Sequence, residues 1–193
     1  MHKAVPRVTA DEYLARERVS DTKHELVNGV VVAMAGASPR HVAIAGNVTG
    51  ALRDLLRAGP CLVLPVDLRV AVEATGLYTY PDVTVVCDRP RFDPKDENTL
   101  TNPLVIVEVL SDSTEAYDRG AKFAHYQSVP SLAEYLLVAQ AERRVEHFRR
   151  LESGQWLLTV YQGDDATVTL PALSAELPLR EIYMKLDLLE EPA

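Results

Sequence analysis

The chain has 193 residues, of which 47% are hydrophobic and 25% are charged. This composition excludes an intrinsically disordered protein, and the length predicts a single domain, residues 1–193, with a full-size hydrophobic core. The net charge of −8 argues against a large nucleic-acid-binding surface, which is usually basic, although it leaves room for a small local basic patch.

The N-terminal third is predicted to contain a helix, a hairpin and a second helix. A capping-box pattern predicts a short helix over residues 9–18. Asn28-Gly29 between two apolar runs is a strong hairpin signal, so residues 24–34 are predicted to form two antiparallel strands. Ser38-Pro39 has the pattern of a helix cap followed by a first-turn proline, which predicts a long helix over residues 38–58.

Further along the chain, apolar runs predict strands over residues 61–64, 68–73, 80–87, 104–110 and 132–139. The polar, proline-containing segment 88–102 is predicted to be a loop, and Ser113 is predicted to cap a helix over residues 114–128. The C-terminal part is predicted to form a meander and a terminal helix, over residues 144–151, 156–161, 166–170 and 179–186. This order favours an α/β (α+β) fold, in which a mixed β-sheet is flanked by helices, with an added N-terminal hairpin and C-terminal β-meander.

The cysteines and the hydropathy pattern bear on the compartment. Cys61 and Cys87 lie in apolar predicted strands without CxxC spacing, so we expect reduced core residues in a cytoplasmic protein. No apolar stretch reaches the roughly 18 residues of a membrane span, and we therefore expect no membrane partner. The first seven residues lack the apolar core of a signal peptide.

Two acidic residues interrupt apolar runs that are predicted to be buried strands. Asp82 lies in the run Tyr80–Val86, and Glu108 lies in the run Leu104–Leu110. A carboxylate in such a run is unfavourable unless it has a partner such as a cation. Two of them on neighbouring strands indicate a site for a hard divalent metal. The structural alternative is that both acids face solvent at strand ends or pair with arginines.

Asp118 and Lys122 follow on the next predicted helix, four residues apart and therefore on one face. An ordinary exposed ion pair, worth only a few tenths of a kcal/mol, would explain this spacing. Beside a metal, however, a lysine can orient the attacking water and offset developing negative charge.

The same residues lie in an ordered set of short motifs: Tyr80-Pro81-Asp82-Val83, Val107-Glu108-Val109-Leu110-Ser111, Ser113-Thr114, Asp118, Lys122, Tyr126 and Glu134-Tyr135. Upstream, the set includes Tyr13-Leu14, Glu25-Leu26-Val27-Asn28-Gly29 and His41. Over residues 8–185 the chain resembles the Uma-two family of restriction endonucleases, in the PD-(D/E)XK nuclease superfamily. The resemblance implies a restriction-endonuclease-like core of a helix, three strands, a helix and a strand, over residues 38–139.

The resemblance also implies the chemistry. Asp82, Glu108 and the carbonyl of Val109 would ligate Mg²⁺ or Mn²⁺, and a metal-activated water would hydrolyse phosphodiester bonds of a nucleic acid, DNA in the first place. The superfamily pattern has a lysine two residues after the glutamate, where this chain has Leu110. Lys122 would supply that lysine from the next helix, with Asp118 holding it in place.

Three other polar residues are candidates with open roles. Glu25 would be either an extra acidic ligand or a surface acid of the hairpin. His41, in the first turn of its helix, would have either a catalytic or phosphate-contacting role, or a polar surface or capping role. Asp67 is a weaker candidate, with a turn position as its alternative.

Two functions therefore remain open at this stage. The first is a metal-dependent endonuclease, favoured by Asp82, Glu108 and Lys122. The alternative is a catalytically inactive nuclease-like fold that acts as a binding or assembly module, favoured by the acidic charge, by Leu110 and by the lack of a recognisable DNA-reading domain. For the enzyme we expect a homodimer, because cutting both strands of a duplex is easiest with two sites.

Overall fold

The computed structural model describes residues 6–189. The prediction that the first seven residues are not a signal peptide falls mostly outside the described residues. The strands are β1 (His24–Val27), β2 (Val30–Ala33), β3 (Leu62–Pro65), β4 (Arg69–Val72), β5 (Leu77–Thr79), β6 (Val83–Val86), β7 (Phe92–Asp93), β8 (Asp96–Leu100), β9 (Val105–Val109), β10 (Glu134–Val138), β11 (Arg144–Arg150), β12 (Trp156–Gln162), β13 (Thr167–Leu170) and β14 (Ala175–Pro178). The α-helices are α1 (Ala10–Glu17), α2 (Pro39–Leu55), α3 (Glu115–Tyr117), α4 (Phe123–Tyr126) and α5 (Leu179–Ile182). A π-helical turn, Asp118–Lys122, joins α3 to α4, and short 3₁₀ turns lie at Pro171–Leu173 and Leu186–Leu189.

Local sequence signals fix the two N-terminal helices and the hairpin between them. The Thr9 hydroxyl accepts the Glu12 N–H while the Glu12 carboxylate accepts the Thr9 N–H, which is the predicted capping box of α1. The Ser38 hydroxyl caps α2, with a proline in the first turn. Between them, Asn28 and Gly29 both have positive φ, as a tight turn between twisted strands requires.

A six-stranded mixed sheet, the main sheet, has the strand order β12-β11-β10-β9-β6-β3. Strand β9 pairs parallel with β10 and antiparallel with β6. Along the chain, α2 is followed by β3, β6 and β9 of this sheet, then by the helix α3–α4 and by β10. This is the helix, three strands, helix and strand expected from the resemblance, and the α/β fold class is confirmed.

A second six-stranded sheet, with the order β2-β1-β5-β4-β8-β7, consists of hairpins inserted before and between the strands of the main sheet. The predicted loop over residues 88–102 is therefore wrong, because these residues contain the hairpin β7–β8. Strand β8 (Asp-Glu-Asn-Thr-Leu) has little β propensity of its own. It is held instead by the buried Arg69, whose guanidinium pairs with Asp96 and donates to Thr99.

The helix after β9 differs from its prediction in two ways. It begins at Glu115 after Thr114, without a side-chain cap, so Ser113 is not its cap. Its middle is the π-helical turn Asp118–Lys122 rather than α-helix. Such turns are rare and occur frequently at functional sites.

The C-terminal meander is confirmed only for its first two strands. Strands β11 and β12 are antiparallel neighbours in the main sheet, but β13 pairs with β14 in a separate two-stranded sheet. The predicted terminal helix over residues 179–186 is likewise shorter, because α5 ends at Ile182. Among residues 6–189, no helix is long and apolar enough to cross a membrane.

Cys61 and Cys87 form a disulfide, so the expectation of reduced cysteines is wrong. The reason lies in the strand register. Strands β3 and β6 pair with Leu62 opposite Val86, which places Cys61, just before β3, opposite Cys87, just after β6. Neither the spacing of the cysteines nor their apolar surroundings reveals this pairing before the register is known.

The two faces of the main sheet carry separate hydrophobic clusters. One face packs against α2, α5 and the β13–β14 ribbon. The other packs against Phe123 and Tyr126 of α4 and against Val70, Leu77 and Leu100 of the second sheet. On this second face the main sheet, the second sheet and the π-helical turn meet, close to the end of β9.

Candidate active site at the end of strand β9

Asp82 and Glu108 lie beside each other where two inner strands of the main sheet, β6 and β9, begin and end respectively. Val83 pairs with Val107, so Asp82, one residue before β6, comes level with Glu108 on β9. The Asp82 carboxylate accepts the Val109 backbone N–H at 2.7 Å through Oδ2. Its Oδ1 lies 2.8 Å from Nε2 of His41, in the first turn of α2. Asp82 is thus held by both neighbouring elements.

Glu108 is buried and in contact with two residues of the helix that follows. Its Oε1 accepts the Tyr126 hydroxyl at 2.9 Å and lies 2.9 Å from the Lys122 ammonium. Burial raises the pKa of Glu108 to about 8; the lysine opposes this shift, whereas the negative charges of Asp118 and Asp82 add to it. A carboxylate in this setting favours a bound proton or a nearby cation.

The Lys122 ammonium lies within a cage of three carboxylates. It is 2.9 Å from Glu108, 3.3 Å from Glu25 and 3.5 Å from Asp118, and all four residues are buried. Burial disfavours the charged form, but the three acids outweigh it and raise the pKa of Lys122 well above its ordinary value. Lys122 is therefore a fixed positive charge, and not the exposed ion-pair partner considered from the sequence.

Leu110 belongs to the apolar cluster on this face of the sheet and not to the charge cluster. Its side chain lies on the same face of β9 as Glu108, where it packs in the apolar cluster with Ile106 and Phe123. The helix α3–α4 covers that face of the main sheet, so the Lys122 side chain approaches Glu108 from the helix and not from a neighbouring strand.

Glu25 and His41 both belong to the same region. Glu25, on β1, is buried; it accepts a hydrogen bond from the Thr79 hydroxyl and contacts Lys122. It is therefore not a surface acid of the hairpin. The His41 ring contacts Asp82, and its backbone N–H donates to the capping hydroxyl of Ser38, so a catalytic or phosphate-contacting role for His41 stays a prediction.

Asp67, in contrast, makes no contact with the residues of this cluster among the described contacts. It is exposed in the turn between β3 and β4, where it pairs with Lys23. The turn position considered as its alternative is the one observed.

The structure adds three residues to which the sequence assigned no role. Tyr126 binds Glu108, and Thr79 binds Glu25. Gln140, just after β10, donates from Nε2 to the Leu110 carbonyl at 2.5 Å and lies 3.4 Å from Nδ1 of His41. Tyr126 follows Lys122 by four residues, a usable helical signal, whereas the role of Gln140 depends on the parallel pairing of β9 with β10.

The cluster carries more negative than positive charge. Three acidic side chains, those of Glu25, Glu108 and Asp118, lie around the ammonium of Lys122, and Asp82 with its partner His41 lies beside Glu108. Hard oxygen donors with excess negative charge suit Mg²⁺ or Mn²⁺. Across residues 6–189, however, no group of three or more His, Cys, Asp or Glu side chains is arranged to hold a metal ion alone. An ion here would need water or substrate oxygens to complete its coordination.

Comparison with known proteins supports the fold. The crystal structure described as that of "a putative nuclease belonging to DUF820" from Anabaena variabilis superposes with a TM-score of 0.75 at 19% identity, covering 91% of this chain and 97% of that one. The chain therefore has a nuclease-like α/β fold.

The chain belongs to the Uma2 family, whose model, described as "Putative restriction endonuclease", matches residues 10–180. Two proteins of Synechocystis sp., sll1609 and slr1290, are 36% and 39% identical over 161 and 160 residues. Each alignment covers 83% of this chain, with 91% of the first relative and 83% of the second.

Proposed function

We propose that the protein is a metal-dependent endonuclease of the PD-(D/E)XK type, which hydrolyses phosphodiester bonds of nucleic acid, DNA in the first place. The observation that carries this proposal is the buried cage of three carboxylates around Lys122, beside Asp82, in a member of this family. Such a charge cluster is costly to bury, and strongly perturbed ionisable groups are concentrated at functional sites.

Asp82, Glu108 and the Val109 carbonyl are the proposed ligands of Mg²⁺ or Mn²⁺. Mg²⁺ usually takes one or two protein carboxylates and completes its shell with water and substrate phosphate. This accounts for a site without three converging acidic or histidine side chains. When bound, the metal would polarise a phosphoryl oxygen and lower the pKa of its water.

The remaining residues would prepare the site. The Lys122 ammonium would stabilise the negative charge that develops on the phosphate, and it would do so without moving, because Glu25 and Asp118 fix it. His41 would orient Asp82, with the Nε2–H donating to the carboxylate if Gln140 donates to Nδ1. Because Cys61 and Cys87 form a disulfide, the cysteines no longer support a cytoplasmic location. The proposed nucleic-acid substrate is the remaining argument for it.

One observation favours the alternative, a nuclease-like module without activity. Both oxygens of Asp82 already have protein partners, and Lys122 is already fully neutralised by the acids around it. Because every charged group of the cluster already has a protein partner, the cluster is also explained by a structural role without catalysis.

A metal titration tests the proposed ligands. We expect Mg²⁺ or Mn²⁺ to raise the melting temperature of the wild-type protein, because a ligand that binds only the folded state stabilises it. Asp82→Asn and Glu108→Gln should abolish this rise. Asp88→Asn, at an exposed acid just beyond β6, is the control and should keep it.

A cleavage assay on single- and double-stranded DNA and on RNA follows with the same proteins. We expect metal-dependent cleavage by the wild type and by Asp88→Asn only. Equal metal binding by wild type and both site variants would reject the ligand assignment. Metal binding without cleavage of any nucleic acid would establish the inactive module instead.

A further inference from the structure

Gln140 lies just after β10 and joins the two elements that hold Asp82. Its Nε2 donates to the Leu110 carbonyl at 2.5 Å, at the end of β9, and its Oε1 accepts the Ser38 hydroxyl at 2.9 Å, at the start of α2. Its backbone carbonyl accepts a hydrogen bond from Nε of Arg40, also in the first turn of α2, at 2.6 Å. A single glutamine therefore ties the first turn of α2 to the end of β9.

The orientation of the Gln140 amide follows from its partners. The Leu110 carbonyl can only accept a hydrogen bond, so the amide nitrogen must face it. The Ser38 hydroxyl already accepts the His41 backbone N–H at 3.0 Å, which leaves its own hydrogen to donate to the amide oxygen. Both partners thus require the same orientation of the amide.

The amide in turn determines which nitrogen of the His41 ring carries the hydrogen. Nδ1 of the ring lies 3.4 Å from Nε2 of Gln140, at the long end of hydrogen-bond distances. Because an amide nitrogen donates and does not accept, Nδ1 is the acceptor in this contact. The hydrogen of the neutral ring is then on Nε2, which lies 2.8 Å from the Asp82 carboxylate. Every donor from Gln140 to Asp82 thus faces an acceptor.

We propose that Gln140 is a positioning residue, which holds the His41 ring in the tautomer that donates from Nε2 to Asp82. The partner of one ring nitrogen of a histidine sets which nitrogen carries the hydrogen. Without the amide, the His41 ring can place its hydrogen on Nδ1 instead. Nε2 would then present a lone pair to the Asp82 carboxylate and repel it. Gln140 therefore orients Asp82 without touching it.

The surroundings of the ring explain why a protein group is needed for this task. The side chains of His41 and Asp82 are only 15% and 12% exposed, so water has little access to replace the amide as the partner of Nδ1. The residue type matters as well. A glutamate at position 140 would face the Leu110 carbonyl with an oxygen, and an asparagine would be one methylene group shorter.

Nitrogen NMR of the metal-free protein, with isotopically labelled histidine, tests the tautomer directly. Ring nitrogens with and without a hydrogen have well separated chemical shifts, and His41→Asn assigns the signals of His41. We expect the hydrogen on Nε2 in the wild type and a mixture of both tautomers in Gln140→Met. The matched control is Gln162→Met, at a glutamine whose amide donates to the exposed Glu142. It should leave the wild-type signals of His41 unchanged.

A second test rests on the proposed function, because it measures the metal that Asp82 would bind. We expect Gln140→Met to weaken the binding of Mn²⁺ about 10–100-fold in a calorimetric titration, the usual effect of removing a group that orients a metal ligand. Gln162→Met should bind Mn²⁺ as the wild type does. A purely structural role of Gln140 would lower the melting temperature but would change neither the tautomer nor the affinity.

A wild-type protein with the hydrogen of His41 on Nδ1 would overturn the proposal, and so would an unchanged tautomer in Gln140→Met. Equal Mn²⁺ affinity of the wild type and Gln140→Met would overturn the effect on Asp82. If the wild type binds no metal, the proposed function fails, whereas the tautomers of the wild type and Gln140→Met still decide the role of Gln140. Circular dichroism of each variant establishes that the fold is retained.

Discussion

Lys122 reaches Glu108 from a helix, and its surroundings could be predicted only in part. The spacing of Asp118 and Lys122 on one helix face correctly placed them together. It did not indicate that both are buried, because burial depends on β1, which brings Glu25 from far along the chain. The spacing of residues along one helix cannot predict which residues of other elements contact it in the folded protein.

Replacing Lys122 should therefore affect both activity and stability. Lys122→Met should lower the cleavage rate by a factor of about 100 or more, the scale seen when one charge-stabilising group is removed. It should also lower the free energy of unfolding by about 3–5 kcal/mol, because three buried carboxylates lose their cation. Cleavage rates are compared at a temperature where both proteins are folded, and urea unfolding gives the stability.

Lys95→Met is the control, since the Lys95 ammonium makes an exposed pair with Asp11. Its cleavage rate and stability should stay near those of the wild type. If Lys122→Met loses stability but cleaves at the wild-type rate, the lysine has a structural role only.

At the scale of elements, the strongest local signals gave the right structure. The capping box at Thr9, Asn28-Gly29 and Ser38-Pro39 each fix their backbone through neighbouring residues alone. The hairpin β7–β8 was missed because its polar strand is held by the distant Arg69. A weaker signal was present, since Asp93-Pro94 is typical of the start of a tight turn.

The hairpin β1–β2 offers a test at this scale. Gly29 has φ of +81°, and an added Cβ would lie 3.4 Å from the Arg7 side chain. Gly29→Ala should therefore lower the free energy of unfolding by about 1–3 kcal/mol. Gly46→Ala, within α2 and with open space around its Cβ position, should raise it by about 0.5–1 kcal/mol. Chemical denaturation of both variants measures the two changes in the free energy of unfolding. Destabilisation of equal size in both would contradict the requirement for glycine at position 29.

At the scale of the whole molecule, a buried polar network joins the second sheet to the rest of the protein. Arg69 pairs with Asp96 on β8 and donates to the Tyr80 hydroxyl, which in turn donates to Glu17 of α1. Tyr80 leads directly into Pro81-Asp82. The network therefore links the second sheet and α1 to the chain segment that carries the candidate metal ligand.

The Arg69–Asp96 pair should contribute to stability in a pH-dependent way. Burial pushes the pKa of Asp96 upward, but the hydrogen bonds from Thr99 and Arg69 outweigh it and leave the pKa below its ordinary value. The folded state thus binds this proton less tightly than the unfolded chain does. The stabilisation is present above the pKa of Asp96 in the unfolded chain, about 3.9, and is lost as the pH falls through its lower value in the folded protein.

Asp96→Asn should therefore destabilise the protein by about 3–5 kcal/mol near neutral pH, where Arg69 loses its buried carboxylate. The difference from wild type should shrink as the pH falls below about 4, because Asp96 itself then becomes neutral. Urea unfolding from about pH 7 down to the acid limit of the folded state measures both effects. Asp54→Asn removes an exposed pair with Arg57 and should change stability little at any pH. A gap between Asp96→Asn and wild type that stays constant down to the acid limit would show that the carboxylate acts through packing rather than through its charge.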